Sequence, residues 1–178
     1  HRFAEDPAGL IWIGTDGGGL NVLDPASGRF RRYLHAEDDP RSLSANTVYA
    51  VHVDERGRLW VGTRGGGLDR GSGAPFGTDA MRFENFSERN GLPNSNVYGI
   101  ESDPGGHLWL STNRGLARFN PEDKGVRNFG RSHGLQADEF NFGAHYRSPA
   151  GELFFGGPNG YNAFFADRLR FNEQPPPV

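Results

Sequence analysis

Apolar residues in this chain form short runs set off by Gly, Pro, Asn and Asp, and the runs recur in a fixed order. One phrase carries the pattern: Asp6-Pro7-Ala8-Gly9-Leu10-Ile11-Trp12, then Asp54-Glu55-Arg56-Gly57-Arg58-Leu59-Trp60, then Asp103-Pro104-Gly105-Gly106-His107-Leu108-Trp109. A weaker fourth copy reads Ser148-Pro149-Ala150-Gly151-Glu152-Leu153-Phe154. The closing aromatics lie 48, 49 and 45 residues apart. A period of roughly 40–50 residues marks a repeat architecture.

Each phrase runs into a small-residue turn, Ile13-Gly14-Thr15, Val61-Gly62-Thr63, Leu110-Ser111-Thr112 and Phe155-Gly156-Gly157. A glycine-rich corner follows, in its fullest form Asp16-Gly17-Gly18-Gly19-Leu20 and Arg64-Gly65-Gly66-Gly67-Leu68. Such corners supply tight turns between strands and bar a helix. Upstream, Ser44–Val51 resembles Asn94–Ile100, and residues 136–143 take that place in the last unit. Residues 48–53, apolar and β-branched or aromatic, suit a strand buried on both faces. Aromatics precede this element as Phe30 with Tyr33, Phe83 with Phe86, and Phe129 alone.

The second unit therefore predicts strands at 46–53, 58–63, 66–70 and 81–87, and the third at 96–102, 107–112, 115–119 and 125–130. Four short strands per unit of this length identify β-propeller blades. The predicted fold is all-β, about four four-stranded antiparallel blades at residues 1–45, 46–95, 96–138 and 139–172. Residues 173–178 read as a proline-rich linker toward a following domain. Four blades lie at the low end of the propeller range, and the sequence opens inside a repeat at His1. An open arc would expose two apolar blade faces. The expectation is a piece of a larger propeller, with self-association of the isolated piece as the other way to cover them.

Composition narrows the function. A net charge of −3 and a pI near 6.1 give no attraction to nucleic acid or an anionic membrane. Arg29, Arg31 and Arg32 read as a solvated strand face. The absence of cysteine excludes disulfides, thiolate metal sites and cysteine nucleophiles. No apolar run is long enough to span a membrane.

The recurring Asp-x-x-Gly-x-Leu-Trp-Val-Gly-Thr core, followed by Gly-Leu, resembles the two-component regulator propeller repeat. Residues 134–141, with 151–160 after them, resemble the closing blade of such sensors, and 171–178 fit the joint to a small immunoglobulin-like domain. Ser111 stands where the repeat usually has Gly, and Phe154 where it has Trp. The resemblance implies a periplasmic sensing region of a membrane-bound hybrid histidine kinase or diguanylate cyclase. It also implies an oligosaccharide or other small-molecule ligand and a dimeric parent receptor.

In a propeller, the loops entering the inner strand and those joining the second and third strands share one face. They carry Asn46, Asn96 and Asn141, and Asp16, Arg64, Asn113, Arg114 and Asn159. With Tyr49 and Tyr98 these amides and guanidinium groups could bind and stack against a sugar, although Asn46 and Asn96, read as recurring in register, suit a turn-tying role better. Trp12, Trp60 and Trp109 are expected to pack between blades. The glycine runs lack the Lys-Ser/Thr of a phosphate loop, and the histidines at 1, 35, 52, 107, 133 and 145 show no metal-site pairing, so no metal or cofactor is expected. Asp138-Glu139 has no matching acid for glycoside hydrolysis. A non-enzymatic sensor segment is therefore expected ahead of an enzyme propeller of streptogramin-lyase or glycoside-hydrolase type, or a structural propeller.

Overall fold

The structure is a computed structural model that describes residues 2–77 and 81–169; the predicted linker 173–178 lies outside them. Fifteen strands form four antiparallel sheets, each a meander in chain order. The first holds β1 (Phe3–Glu5), β2 (Ile11–Gly14), β3 (Leu20–Asp24) and β4 (Arg29–Tyr33). The second holds β5 (Val48–Val53), β6 (Leu59–Thr63), β7 (Gly67–Ser72) and β8 (Arg82–Phe86). The third holds β9 (Val97–Ser102), β10 (Leu108–Thr112), β11 (Gly115–Phe119) and β12 (Val126–Phe129). The fourth contains β13 (His145–Arg147), β14 (Glu152–Gly157) and β15 (Gly160–Phe165), so three strands are described where four were expected. The sheets are propeller blades, and successive inner strands β1, β5, β9 and β13 lie beside one another.

One prediction about burial needs correction. In blades two and three the strand buried on both faces is the second: every residue of β6 and of β10 is buried. The inner strand β5 leaves Tyr49, His52 and Val53 half-buried, because only one of its neighbours in the blade plane is a hydrogen-bonded strand.

The repeated phrase closes on itself. The indole Nε1–H of Trp12 donates to Asp6 Oδ2 at 2.9 Å, Trp60 to Asp54 at 2.9 Å, and Trp109 to Asp103 at 3.1 Å. The other carboxylate oxygen caps the intervening turn, accepting from the backbone N–H groups of Ala8 and Leu10, of Arg56 and Arg58, and of His107. Burial pushes the Asp54 and Asp103 carboxyls up, but these hydrogen bonds with Arg58 and Arg118 outweigh it and hold both below the usual range. In the fourth copy Phe154 has no N–H to offer, and Ser148 Oγ only caps the turn, at Glu152 N–H. Donor and acceptor are lost together.

Each clasped ring packs on the next blade. Trp12, Val22 and Tyr33 meet Leu59, Val61 and Phe83; Trp60 and Phe86 meet Leu108, Leu110 and Phe119; Trp109 and Phe129 meet Leu153, Phe155 and Phe164. Glycine permits the approach, since a Cβ on Gly62 would stand 2.7 Å from the Val97 carbonyl oxygen. Gly67, at φ 91°, would likewise drive a Cβ into the Phe86 carbonyl at 2.2 Å, and Gly19 and Gly115 repeat the geometry. At the two ends of the arc the corresponding faces are open: Phe3 (64% exposed) and Phe30 (59%) on the first blade, Tyr146 and Tyr161 (68%) on the fourth.

Trp60→Ala should lower unfolding stability by about 3–5 kcal/mol in denaturant titration; a wild-type midpoint would contradict its packing role. In a double-mutant cycle, Trp60→Phe should cost about 1 kcal/mol less when Asp54→Ser is already present. Additive losses would show that the clasp carries no coupling.

Candidate functional site

The inner strands of blades two and three each skip one residue near their start. Val48 pairs with Thr63 and Ala50 with Gly62, leaving Tyr49 outside the ladder; Val97 pairs with Thr112 and Gly99 with Ser111, leaving Tyr98 outside it. Such bulges re-aim a side chain. The fourth blade widens the device: Phe140 N–H bonds to the Thr112 carbonyl, as Val48 N–H does to Thr15, and pairing resumes at Ala144. Residues 141–143 thus occupy the place of one tyrosine.

These three irregularities bring three rings together. Tyr49 lies 5.2 Å from Tyr98 and 5.1 Å from Phe142, centroid to centroid, and the Arg2 guanidinium sits 4.4 Å over Phe142. Phe142 is 45% exposed, and both tyrosines are half-buried. Tyr98 donates its hydroxyl to Asn113 Oδ1. Burial raises the Tyr98 phenol above its ordinary pKa, with Tyr49 and Glu139 adding to the rise and Arg64 opposing it. The cluster therefore joins an aromatic surface to the Asn113 amide and the Arg2 guanidinium.

Beside it, across the β6–β7 turn, opens a polar cleft of about 960 Å³ between the loops entering β5 and β9. Its wall includes Ser44, Gly66, Asn85, Arg89, Asn94 and Asn96. Ser44 and Asn85 are held from behind by the buried Asp69 carboxylate, which accepts from Ser44 N–H at 3.0 Å, Ser44 Oγ–H at 2.7 Å and Asn85 Nδ2–H at 3.0 Å. Burial pushes the Asp69 carboxyl up to about 6 against these hydrogen bonds.

The other predicted residues divide between exposed turn positions and residues hydrogen-bonded into the loops. Arg64 and Arg114 are exposed at the β6–β7 and β10–β11 turns. Asn46 is scaffold: its Oδ1 accepts from His35 N–H at 2.8 Å. Asn159 is tied to Gln136 through its N–H and side-chain amide, Asp16 accepts from the Thr47 hydroxyl, and Asn141 N–H reaches the Gly156 carbonyl. Asn46 and Asn96 do not share a register: Gly19 N–H bonds to the Asn46 carbonyl and Gly67 N–H to that of Ser95, so Asn96 matches Thr47.

Sequence reasoning missed Phe142 and Arg2, and a buried polar chain along the inner strands; Glu139 it had noted only as half of an acidic pair without a catalytic partner. His52 Nε2 lies 2.6 Å from Ser102 Oγ, and His145 Nδ1 lies 2.8 Å from Glu101 Oε1. Each pair spans about one repeat in sequence, so the period itself was the signal that could have found them. Burial holds the His52 imidazole below its usual pKa. Among the described residues no group of three or more His, Asp and Glu could hold a metal ion.

Comparison with known proteins agrees with the repeat. The model of the two-component regulator propeller matches residues 42–65 and 91–114, the start of blades two and three. These two stretches are two-component regulator propeller repeats. Histidine kinase P4 of Formosa agariphila is 30% identical over 91 residues, which cover 51% of this chain and 7% of that protein. Among solved structures, the extracellular domain of BT3049, described as a hybrid two-component system of B. thetaiotaomicron, superposes with a TM-score of 0.77 at 28% identity, over 93% of this chain and 21% of that one. The extracellular domain of BT4673 from the same organism shares the fold, with a TM-score of 0.74 at 22% identity, over 93% of this chain and 22% of that one. The propeller-repeat chain thus spans about a fifth of these structures and a small part of the kinase.

Asp69 provides a pH test of the cleft floor. Its folded pKa lies above the unfolded value, so the folded state retains a proton that the unfolded chain has released, and this group lowers stability as pH rises from about 4 to about 6. Asp69→Asn should remove that slope. The difference between the two stability curves should therefore change across this window, and parallel curves would place Asp69 in a solvated setting.

Proposed function

We propose that this chain is a ligand-sensing stretch of an extracytoplasmic propeller in a bacterial signalling receptor, without catalytic activity of its own, and that its ligand is an oligosaccharide or similar small polar molecule. One observation carries the reading: Tyr49, Tyr98 and Phe142, from three consecutive blades, meet at bulges beside Arg2, Arg64 and Asn113. Aromatic faces match the apolar faces of sugar rings, and amide and guanidinium groups match their hydroxyls. The fold would assemble with little regard to what these side chains are, since bulge residues make no ladder contact.

The relatives support the signalling context. BT3049 is described as a hybrid two-component system whose extracellular domain has this fold, and the 91-residue stretch of 30% identity lies in a histidine kinase of Formosa agariphila. That kinship supports a periplasmic placement. A ligand touching three blades at once would favour one inter-blade geometry, and a dimeric receptor could read that preference as a change in its own packing. No helix among the described residues is long and apolar enough to cross a membrane.

The test is calorimetric titration against a panel of linear neutral and acidic oligosaccharides. Tyr98→Ala and Arg64→Ala should each weaken binding about tenfold, near 1.4 kcal/mol, with melting curves close to wild type. Unchanged affinity for both variants would remove the cluster from the site. Shortened products after incubation would overturn the non-catalytic reading.

A further inference from the structure

The cleft beside the aromatic cluster has a chemistry of its own. Its size, about 960 Å³, falls at the upper end of small-ligand sites. Its charged groups, Asp39, Glu88 and Arg89, are of both signs, so it favours neither a polyanion nor a polycation. Several are already engaged: Asp39 faces Arg41 at 3.7 Å, and Glu88 Oε1 accepts from Ser95 N–H at 3.0 Å. What remains is dominated by amides and hydroxyls, groups that can both donate and accept.

Part of that wall is fixed and part is free. Asn85 Nδ2 donates to the Gly66 carbonyl at 2.6 Å and to Asp69, and Ser44 is held by Asp69 and Thr63. These contacts make the floor rigid before any ligand arrives, which lowers the ordering cost of binding. By contrast, the side chains of Asn96 and Arg89 have no hydrogen-bond or ion-pair partner among the described residues. They are available.

Cleft and rings are neighbours. Gly65 and Asn96 both line the cleft; Arg64 directly precedes the first, and Tyr98 follows the second by two residues. We infer that the cleft is a second subsite, continuous with the aromatic cluster across the β6–β7 turn, that takes an uncharged polyhydroxylated unit, so that the ligand is a chain of several sugar residues and not a single ring. This rests on the proposed function above, because the cluster must hold the first unit. The cleft then selects for length.

The experiment compares disaccharides with hexasaccharides of the cello and malto series, and with oligogalacturonate as the charged counterpart, by calorimetry on the full chain. The hexasaccharide of a recognised series should bind about tenfold more tightly than its disaccharide. The double variant Asn96→Ala with Arg89→Ala should erase that advantage and leave disaccharide affinity unchanged, with an unaltered melting curve. Equal affinity for the two lengths, or equal weakening of both by the double variant, overturns the second subsite while leaving the cluster in place. Tighter binding of oligogalacturonate through Asn96 and Arg89 overturns the uncharged class. If Tyr98→Ala leaves disaccharide binding intact, or if no saccharide binds, the proposed function fails first and the subsite fails with it.

Discussion

A buried hydrogen bond between an indole N–H and a carboxylate organises this chain. Large rings offer the most apolar area for packing one blade on the next, but a tryptophan carries a polar N–H that must be satisfied once water is gone. The aspartate six residues earlier answers it in Asp6–Trp12, Asp54–Trp60 and Asp103–Trp109, and its second oxygen closes the turn between the two strands. Ring orientation and turn geometry are therefore set by one side chain. The fourth copy supports this logic by losing both partners together, Ser148 for Asp and Phe154 for Trp.

Everything nearer the axis depends on that stacking. Because the clasped rings fix the distance between blades, bulges at equivalent points of successive inner strands deliver their side chains to one place. Tyr49 and Tyr98 come from the same position of the repeat, and Phe142 reaches them from a longer excursion in the fourth blade. The His52–Ser102 and His145–Glu101 contacts join the same inner strands from within. The proposed recognition surface, shared by three blades, would be sensitive to their relative angle, which is the property a sensor needs.

Sequence patterns carried the fold almost completely and the site only in part. The strands of blades two and three were legible because Leu-Trp-Val-Gly-Thr and its turn glycines are read locally, and each prediction lies within two residues of the observed strand at every end. The burial of the inner strand was misjudged, since an apolar run does not reveal which of its neighbours will be the central opening. Tyr49 and Tyr98 could be named from their register. Phe142 could not, because the expanded loop at 141–143 breaks the repeat where the ring departs from it. Asn46 and Asn96 looked equivalent by type, yet the carbonyls that receive Gly19 and Gly67 set them one position apart. Asp69 gave no sign at all, since its partners lie 25 residues away at Ser44, in a loop, and 16 residues away at Asn85, across from it on β8.

The most direct test of the clasp uses the fact that the chain contains only three tryptophans. Hydrogen exchange of the three indole N–H groups, followed by ¹⁵N NMR, reports each Asp–Trp bond separately. The account predicts that Trp60 and Trp109 exchange only with global unfolding, with the clasps intact in every partial opening of the loops. Indole exchange faster than that of the backbone amides of β6 and β10 would contradict it, and would leave blade stacking to apolar contact alone.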